Sequence, residues 1–156
     1  MAESRFVYVT YIRATPERLW EALTSSEFTR KYWGETWQVS DWKVGSPWKL
    51  MMPDGNVADA GEIVEIEPGR KLVLAWTNEY RPDLKEDAPS RLTYELQPIG
   101  DSVKLTVIHE SDTPLSRLIQ AVALGWPAIL SSLKTMLETG QPLEITRSWQ
   151  QQGPSN

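Results

Sequence analysis

The fold of this chain is decided by residues 113–142, TPLSRLIQAVALGWPAILSSLKTMLETGQP. Apolar side chains recur there at spacings of three and four from Leu115 to Leu137, which is typical of an amphipathic helix. Thr113, followed by proline, predicts the start of the helix, and Gly140, followed by glutamine and proline, predicts its end. The segment therefore predicts one helix of more than about 20 residues near the C-terminus.

Pro127 lies inside this predicted helix. A proline in a helix interior removes one backbone hydrogen bond and clashes with the preceding turn. The sequence therefore predicts a kink or a restart of the helix at residues 125–127.

Upstream of the helix, short segments rich in alternating apolar residues indicate β-strands separated by turns. These segments are 35–39, 47–52, 58–66, 72–77, 91–97 and 103–110. Hairpin-length links between them predict an antiparallel meander. In the last segment the alternation places Val103, Leu105, Val107 and His109 on one face.

The N-terminal part adds a further strand and two short helices. Residues 6–12 indicate a strand with apolar side chains on both faces, so its inward face stays unassigned. Thr15 with Pro16 predicts one short helix, and Ser26 predicts the start of a second.

The elements together predict an α+β domain. A sheet with one polar face must bury the other, and only the long helix is long enough to cover it. A bent sheet around this helix would leave a cavity between them. We expect a single domain over residues 1–140 and a polar, frayed tail over residues 141–156.

The composition excludes several kinds of chemistry. The chain has 156 residues, no cysteine, one histidine and eight tryptophans, with 16 basic and 21 acidic residues and a net charge of −5. Disulfides, cysteine-based metal sites and multi-histidine metal clusters are excluded, and a nucleic-acid partner is not expected. The sequence shows neither a membrane span nor a signal peptide, so the expected location is cytoplasmic.

Several segments resemble, in order, those of a known family. They are ATPERLWEALT (14–24), YWG (32–34), VGSPW (44–48), GEIVEI (61–66), LVLAW (72–76), SRLTYEL (90–96), LTVIHE (105–110) and GW (125–126). The chain resembles the START-like (SRPBCC) superfamily, in the branch related to the C-terminal domain of the activator of heat-shock protein 90 ATPase. The resemblance covers about residues 6–140.

The resemblance implies a helix-grip fold, in which a seven-stranded antiparallel sheet wraps around the C-terminal helix and two short helices follow strand 1. Relatives include lipid-transfer domains, hormone binders, polyketide cyclases and drug-sequestering proteins, so the fold alone does not define a function. Family members usually lack a proline after the Gly-Trp pair, so Pro127 is a departure.

The tryptophans are the main candidates for a binding site. Core packing is the simplest interpretation of any large aromatic side chain, and Trp20 is assigned to it. Trp42 is expected at an exposed or rim position, Trp37 is ambiguous, and Trp149 lies in the tail. The candidate ligand-binding residues are Trp33, Trp48, Trp76, Tyr94, His109, Trp126 and Leu130.

His109 has two interpretations. A lone histidine in a strand is commonly a structural residue, but its inward position would also allow one polar contact to a ligand. The neighbouring Glu110 should point outward, so the two do not form an acid–base pair. The sequence also lacks a glycine-rich phosphate loop, a nucleophile elbow and a metal motif, so no catalytic residue, metal ligand or cofactor is assigned.

Three hypotheses follow. The first is a binding protein that holds an apolar or aromatic small molecule between the sheet and the helix. The second, implied by the resemblance, is a chaperone ATPase regulator or stress-response interaction domain, although the similarity covers only the activator's C-terminal part. The third is a cyclase-like enzyme that uses His109 or a tyrosine as its acid–base group. The sequence leaves the oligomeric state open between monomer and homodimer.

Overall fold

Seven strands and four helices follow one another in the computed structural model, which describes residues 3–86 and 89–146. The strands are β1 (Ser4–Ile12), β2 (Trp37–Ser40), β3 (Pro47–Met51), β4 (Val57–Glu67), β5 (Lys71–Asn78), β6 (Ser90–Ile99) and β7 (Ser102–Ser111). The helices are α1 (Pro16–Thr24), α2 (Ser26–Tyr32), α3 (Pro82–Lys85) and α4 (Arg117–Thr139).

The strands form one antiparallel sheet in the order β1-β7-β6-β5-β4-β3-β2. Strands β2 to β7 make the predicted meander. The first strand, β1, pairs with the last strand, β7. Helix α4 lies against the inner face and contacts β1 and β7. This is the helix-grip arrangement, so the predicted fold is confirmed.

The alternation of side chains sets which face of the sheet is buried. In β7, Val103, Leu105, Val107 and His109 are all buried, as the pattern predicted. Strand β1, whose inward face the sequence left unassigned, buries Ile12 and turns the residues at odd positions outward.

Helix α4 begins at Arg117, three residues after Pro114, where the sequence predicted its start. The Ser116 hydroxyl accepts a hydrogen bond from the Ile119 N–H at 3.2 Å, and Gly140 ends the helix with φ of 92°. The helix runs through Pro127 without interruption, so the predicted restart is wrong. Buried side chains on both sides of the proline, Trp126 and Leu130 among them, hold the two halves against the sheet.

The described part of the tail packs onto the domain. The Thr146 side chain is buried and its Oγ1 donates to the Tyr32 carbonyl at 3.0 Å. The Leu143 N–H donates to Ser132 Oγ on α4 at 3.1 Å. The expectation that the tail is frayed is therefore wrong for residues 141–146. Trp149 lies outside the described residues.

Candidate functional site

Four tryptophans from four different elements meet on the inner side of the sheet. Trp33 follows α2, Trp48 lies on β3, Trp76 on β5 and Trp126 on α4. The ring centroids of Trp33 and Trp126 are 5.2 Å apart, those of Trp48 and Trp76 are 4.7 Å apart, and those of Trp33 and Trp76 are 6.0 Å apart. Such separations are those of favourable aromatic pairs. We call these four residues the indole cluster.

A glycine lies on the strand between two of these tryptophans. Gly61 on β4 pairs with Trp48 on one side and with Trp76 on the other. A Cβ at this position would lie 1.7 Å from the Ala75 carbonyl oxygen, so the backbone here accepts only glycine without moving.

His109 lies behind the indole cluster in a chain of hydrogen bonds. The Trp126 indole N–H, which can only donate, donates to His109 Nδ1 at 3.1 Å. The hydrogen of the neutral imidazole must therefore be on Nε2, which donates to Ser90 Oγ at 2.8 Å. The Ser90 hydroxyl donates in turn to the Trp76 carbonyl at 2.9 Å. Both ring nitrogens are thus used in fixing two tryptophan-bearing elements.

Burial without a charged partner also keeps His109 neutral. Desolvation lowers the pKa of His109 from 6.5 to about 3. Tyr94 is equally buried, packs edge-on against Trp126 at 6.0 Å, and has a pKa raised well above its ordinary value by burial. Neither residue is placed to exchange a proton with a molecule in the adjoining pocket.

A pocket of about 190 Å³, partly open to the surface, lies beside the cluster where the sheet meets α3 and α4. It is lined by Trp33, Asp59, Trp76, Asn78, Leu84, Leu118, Ala121, Val122, Gly125, Trp126 and Ile129. Three of the seven candidate residues, Trp33, Trp76 and Trp126, form its wall. The other four are buried in the core and do not line the pocket: Trp48, Tyr94, His109 and Leu130.

One rim of the pocket comes from the segment between β5 and β6. Leu84 of α3 is buried against the pocket, while charged neighbours pair with one another at the surface. Arg81 Nη2 is 2.8 Å from Asp83 Oδ2, and Lys85 Nζ is 2.7 Å from Glu79 Oε2. The cations of this segment are therefore neutralised locally.

Asp59 is the one ionisable side chain among the described residues that line the pocket. Its Oδ1 accepts hydrogen bonds from Trp76 Nε1 at 2.9 Å and from Asn78 Nδ2 at 3.0 Å. Burial, and to a lesser extent the charge of Glu79, raises the pKa of Asp59 from 3.8 to about 7. Within residues 3–86 and 89–146, no donor hydrogen-bonds to its Oδ2, and because no fully buried side-chain polar atom there lacks a partner, Oδ2 keeps some access to the pocket.

Sequence reasoning missed Asp59, although a pattern could have found it. Asp59 has the same strand parity as the buried Ile63 and the opposite parity to the exposed Glu62. Gly125, Ala121 and Val122 were missed for a different reason, since only the packing of α4 shows which part of the helix faces a gap.

No group of three or more potential metal ligands occurs in the part of the chain that the structure describes. Over the same residues, no helix is long and apolar enough to cross a membrane.

Comparisons with known proteins agree with this architecture. The family model described as Activator of Hsp90 ATPase homolog 1-like protein matches residues 13–138. Protein MLL2253 from Mesorhizobium loti superposes with a TM-score of 0.74 at 23% identity, covering 86% of this chain and 97% of that one. No curated protein sequence matches the chain.

Two further solved structures have a similar fold, and the name of one of them refers to chaperone activation. The Aha1 dimer from Colwellia psychrerythraea has a TM-score of 0.71 at 19% identity and covers 88% of this chain and 98% of that one. PFC0360w, an HSP90 activator from Plasmodium falciparum, has a TM-score of 0.69 at 21% identity and covers 88% and 97%. At these identities the likeness shows the fold alone.

Proposed function

We propose that this chain, which belongs to the Activator of Hsp90 ATPase homolog 1-like family, binds a small apolar or aromatic molecule in the pocket beside the indole cluster. The observation that carries the proposal is the composition of the pocket wall, where three indoles and several aliphatic side chains surround one buried carboxyl group. Apolar pockets with a few placed polar groups are the usual form of small-molecule sites.

The size of the pocket limits the ligand. Its volume of about 190 Å³ is below the range of about 300–1,000 Å³ typical of drug-sized sites. It is closer to the apolar cavity of about 150 Å³ that holds one benzene ring. The ligand, or the part of it that enters, is therefore about the size of one aromatic ring with a short substituent.

The candidate residues divide into two roles in this proposal. Trp33, Trp76 and Trp126 contact the ligand, and burial of its apolar surface provides about 25 cal/mol per Å² before the costs of association. Trp48, Tyr94, His109 and Leu130 support these rings from below. This arrangement pre-organises the wall, so little ordering is needed on binding.

Intrinsic tryptophan fluorescence tests the proposal, because three of the wall residues are tryptophans. Titration with single-ring aromatic compounds should change the emission in a saturable way. Gly125→Leu should abolish this response, since its side chain would fill the pocket from α4 without removing a core residue. Leu124→Phe adds bulk at the neighbouring exposed position and should leave binding intact.

Circular dichroism would establish that both variants are folded. A wild-type protein that responds to no compound in the panel would refute the proposal. So would a folded Gly125→Leu variant that binds as well as the wild type.

A second candidate function is regulation of a chaperone ATPase by surface contact, supported by the family description and by the name of the Plasmodium falciparum activator. The outer face of edge strand β1 exposes Val7, Val9 and Tyr11, each by about half, and would provide the contact. Stimulation of a purified heat-shock protein 90 ATPase that is lost in Val9→Asp but kept in Val64→Asp would support this candidate. Absence of stimulation by the wild type would remove it.

A further inference from the structure

We propose that the pocket selects ligands that carry a protonated amine, whose N–H donates to Oδ2 of Asp59 while its apolar part packs against the indoles. This inference rests on the proposed function, and it names the chemical class of the ligand. The geometry that carries it is a buried carboxyl group that faces an aromatic pocket with one oxygen unused.

The hydrogen bonds of Asp59 fix its orientation. Trp76 and Asn78 both donate to Oδ1, so rotation of the carboxyl group would disturb one buried and one partly buried hydrogen bond. The side chain is only 7% exposed, and Oδ2 receives no hydrogen bond from any described residue. No fully buried side-chain oxygen or nitrogen among the described residues lacks a partner, so Oδ2 is accessible from the pocket. A charged donor from the ligand would give this oxygen a charge-assisted hydrogen bond, which is roughly twice as strong as a neutral one.

The surroundings favour a cation over an anion or a neutral group. Three indoles line the pocket, and an indole ring attracts a cation that lies over its face within about 6 Å of the ring centroid. Glu79, whose charge acts on Asp59, is also negative. Lys85 and Arg81, the nearby cations of the α3 segment, pair with Glu79 and Asp83, so they do not offer a positive charge to an anionic ligand.

Binding of an amine should also be linked to proton release. Glu79 is the charged group that raises the pKa of Asp59 alongside burial, whereas the donors Trp76 and Asn78 do not titrate. Near neutral pH, Asp59 is partly protonated, and an ammonium group next to Oδ2 favours the carboxylate. The proton leaves to the buffer as the ion pair forms.

Isothermal titration with three compounds of equal size tests the inference. The probes are 2-phenylethylamine, its hydrocarbon analogue propylbenzene, and acetophenone, which can only accept a hydrogen bond. At about pH 8 the wild type should bind the amine at least about tenfold more tightly than either neutral compound. Asp59→Asn keeps an oxygen for Trp76 and Asn78, and it should reduce amine affinity about tenfold or more while leaving propylbenzene unchanged.

The linked proton gives a second readout that a purely structural role of Asp59 would not affect. At about pH 6.5, the enthalpy of amine binding should differ between phosphate and Bis-Tris buffers, and the difference should vanish in Asp59→Asn and for propylbenzene.

Several outcomes would overturn the inference. If propylbenzene or acetophenone binds as tightly as the amine, the inference is wrong, although the proposed function still stands. The inference is also wrong if Asp59→Asn does not change the affinity for the amine. Binding of none of the three also overturns it, and the broader fluorescence panel then decides the proposed function separately.

Discussion

Asp59 and His109 are both polar, buried and close to the same tryptophans, but they are satisfied in different ways. His109 uses both ring nitrogens and so has no capacity left for a ligand. Asp59 uses one oxygen and faces the pocket with the other. The histidine therefore belongs to the scaffold and the carboxyl group to the proposed site.

Removing the acceptor of His109 should destabilise the protein without touching the pocket. In Ser90→Ala, the Nε2–H loses its partner, and the tautomer cannot change because Nδ1 accepts from Trp126. We expect a loss of about 1–3 kcal/mol in the free energy of unfolding, measured by urea denaturation. Ser102→Ala, where the hydroxyl bonds to exposed Asp101, should change it by less than about 0.5 kcal/mol. Equal effects of the two substitutions would contradict the assigned hydrogen-bond chain.

Gly61 should tolerate no side chain. In Gly61→Ala, the new methyl group would meet the Ala75 carbonyl, and β4 and β5 would have to separate or bend beneath the indole cluster. The expected cost is about 2 to 3 kcal/mol in the free energy of unfolding, together with an altered near-ultraviolet spectrum of the tryptophans. Unchanged stability would show that the two strands are not as close at this point as described.

At the scale of elements, α4 both covers the sheet and shapes the pocket. Its C-terminal half buries Leu130, Leu133 and Met136, whereas the half near the pocket presents small residues such as Ala121 and Gly125. The helix thus packs tightly at its C-terminal end and leaves a gap near the pocket. Large apolar residues would be enough to cover the sheet, so the presence of small residues near the gap is better explained by a need to keep the pocket open.

Gly125→Ala should therefore stabilise the protein while it narrows the pocket. The added Cβ would meet only Ile129 Cδ1, at 4.0 Å, which is an ordinary contact. Replacing a helical glycine by alanine gains about 0.5–1 kcal/mol, so the melting temperature should rise. Affinity for a single-ring ligand should fall in the same variant. A lower melting temperature would mean that the helix at this point needs the conformational freedom of glycine.

At the scale of the whole molecule, local patterns predicted the architecture well because burial on a sheet follows simple alternation. The inward positions of Trp76 and His109 and the length of α4 were all readable in this way. A cavity between the sheet and the helix was expected, but its position beside α3 and its lining were not readable, because they depend on which inward side chains fail to meet across the interior. Trp48 and Trp76 share an inward face, but only Trp76 borders empty space.

Asp59 and His109, two of the buried titratable groups, make the stability of the protein depend on pH in opposite directions. Asp59 has a folded-state pKa of about 7 against its ordinary 3.8, so the folded state holds more protons and stability falls as pH rises through this range. His109 has a folded-state pKa of about 3 against 6.5, so the unfolded state holds more protons and stability falls as pH decreases from 6.5. Between about pH 4 and pH 6.5 the two contributions largely cancel.

Asp59→Asn should separate the two trends. The variant never buries a charge at this position. Its free energy of unfolding should therefore exceed that of the wild type by little near pH 4 and by at most about 4 kcal/mol at about pH 8. In the variant, stability should rise steadily with pH up to about 6.5, because only the His109 contribution remains. Urea denaturation of both proteins across this range measures the difference. A difference independent of pH would mean that Asp59 ionises normally in the folded protein, and the carboxyl group would then be hydrated rather than enclosed by the pocket.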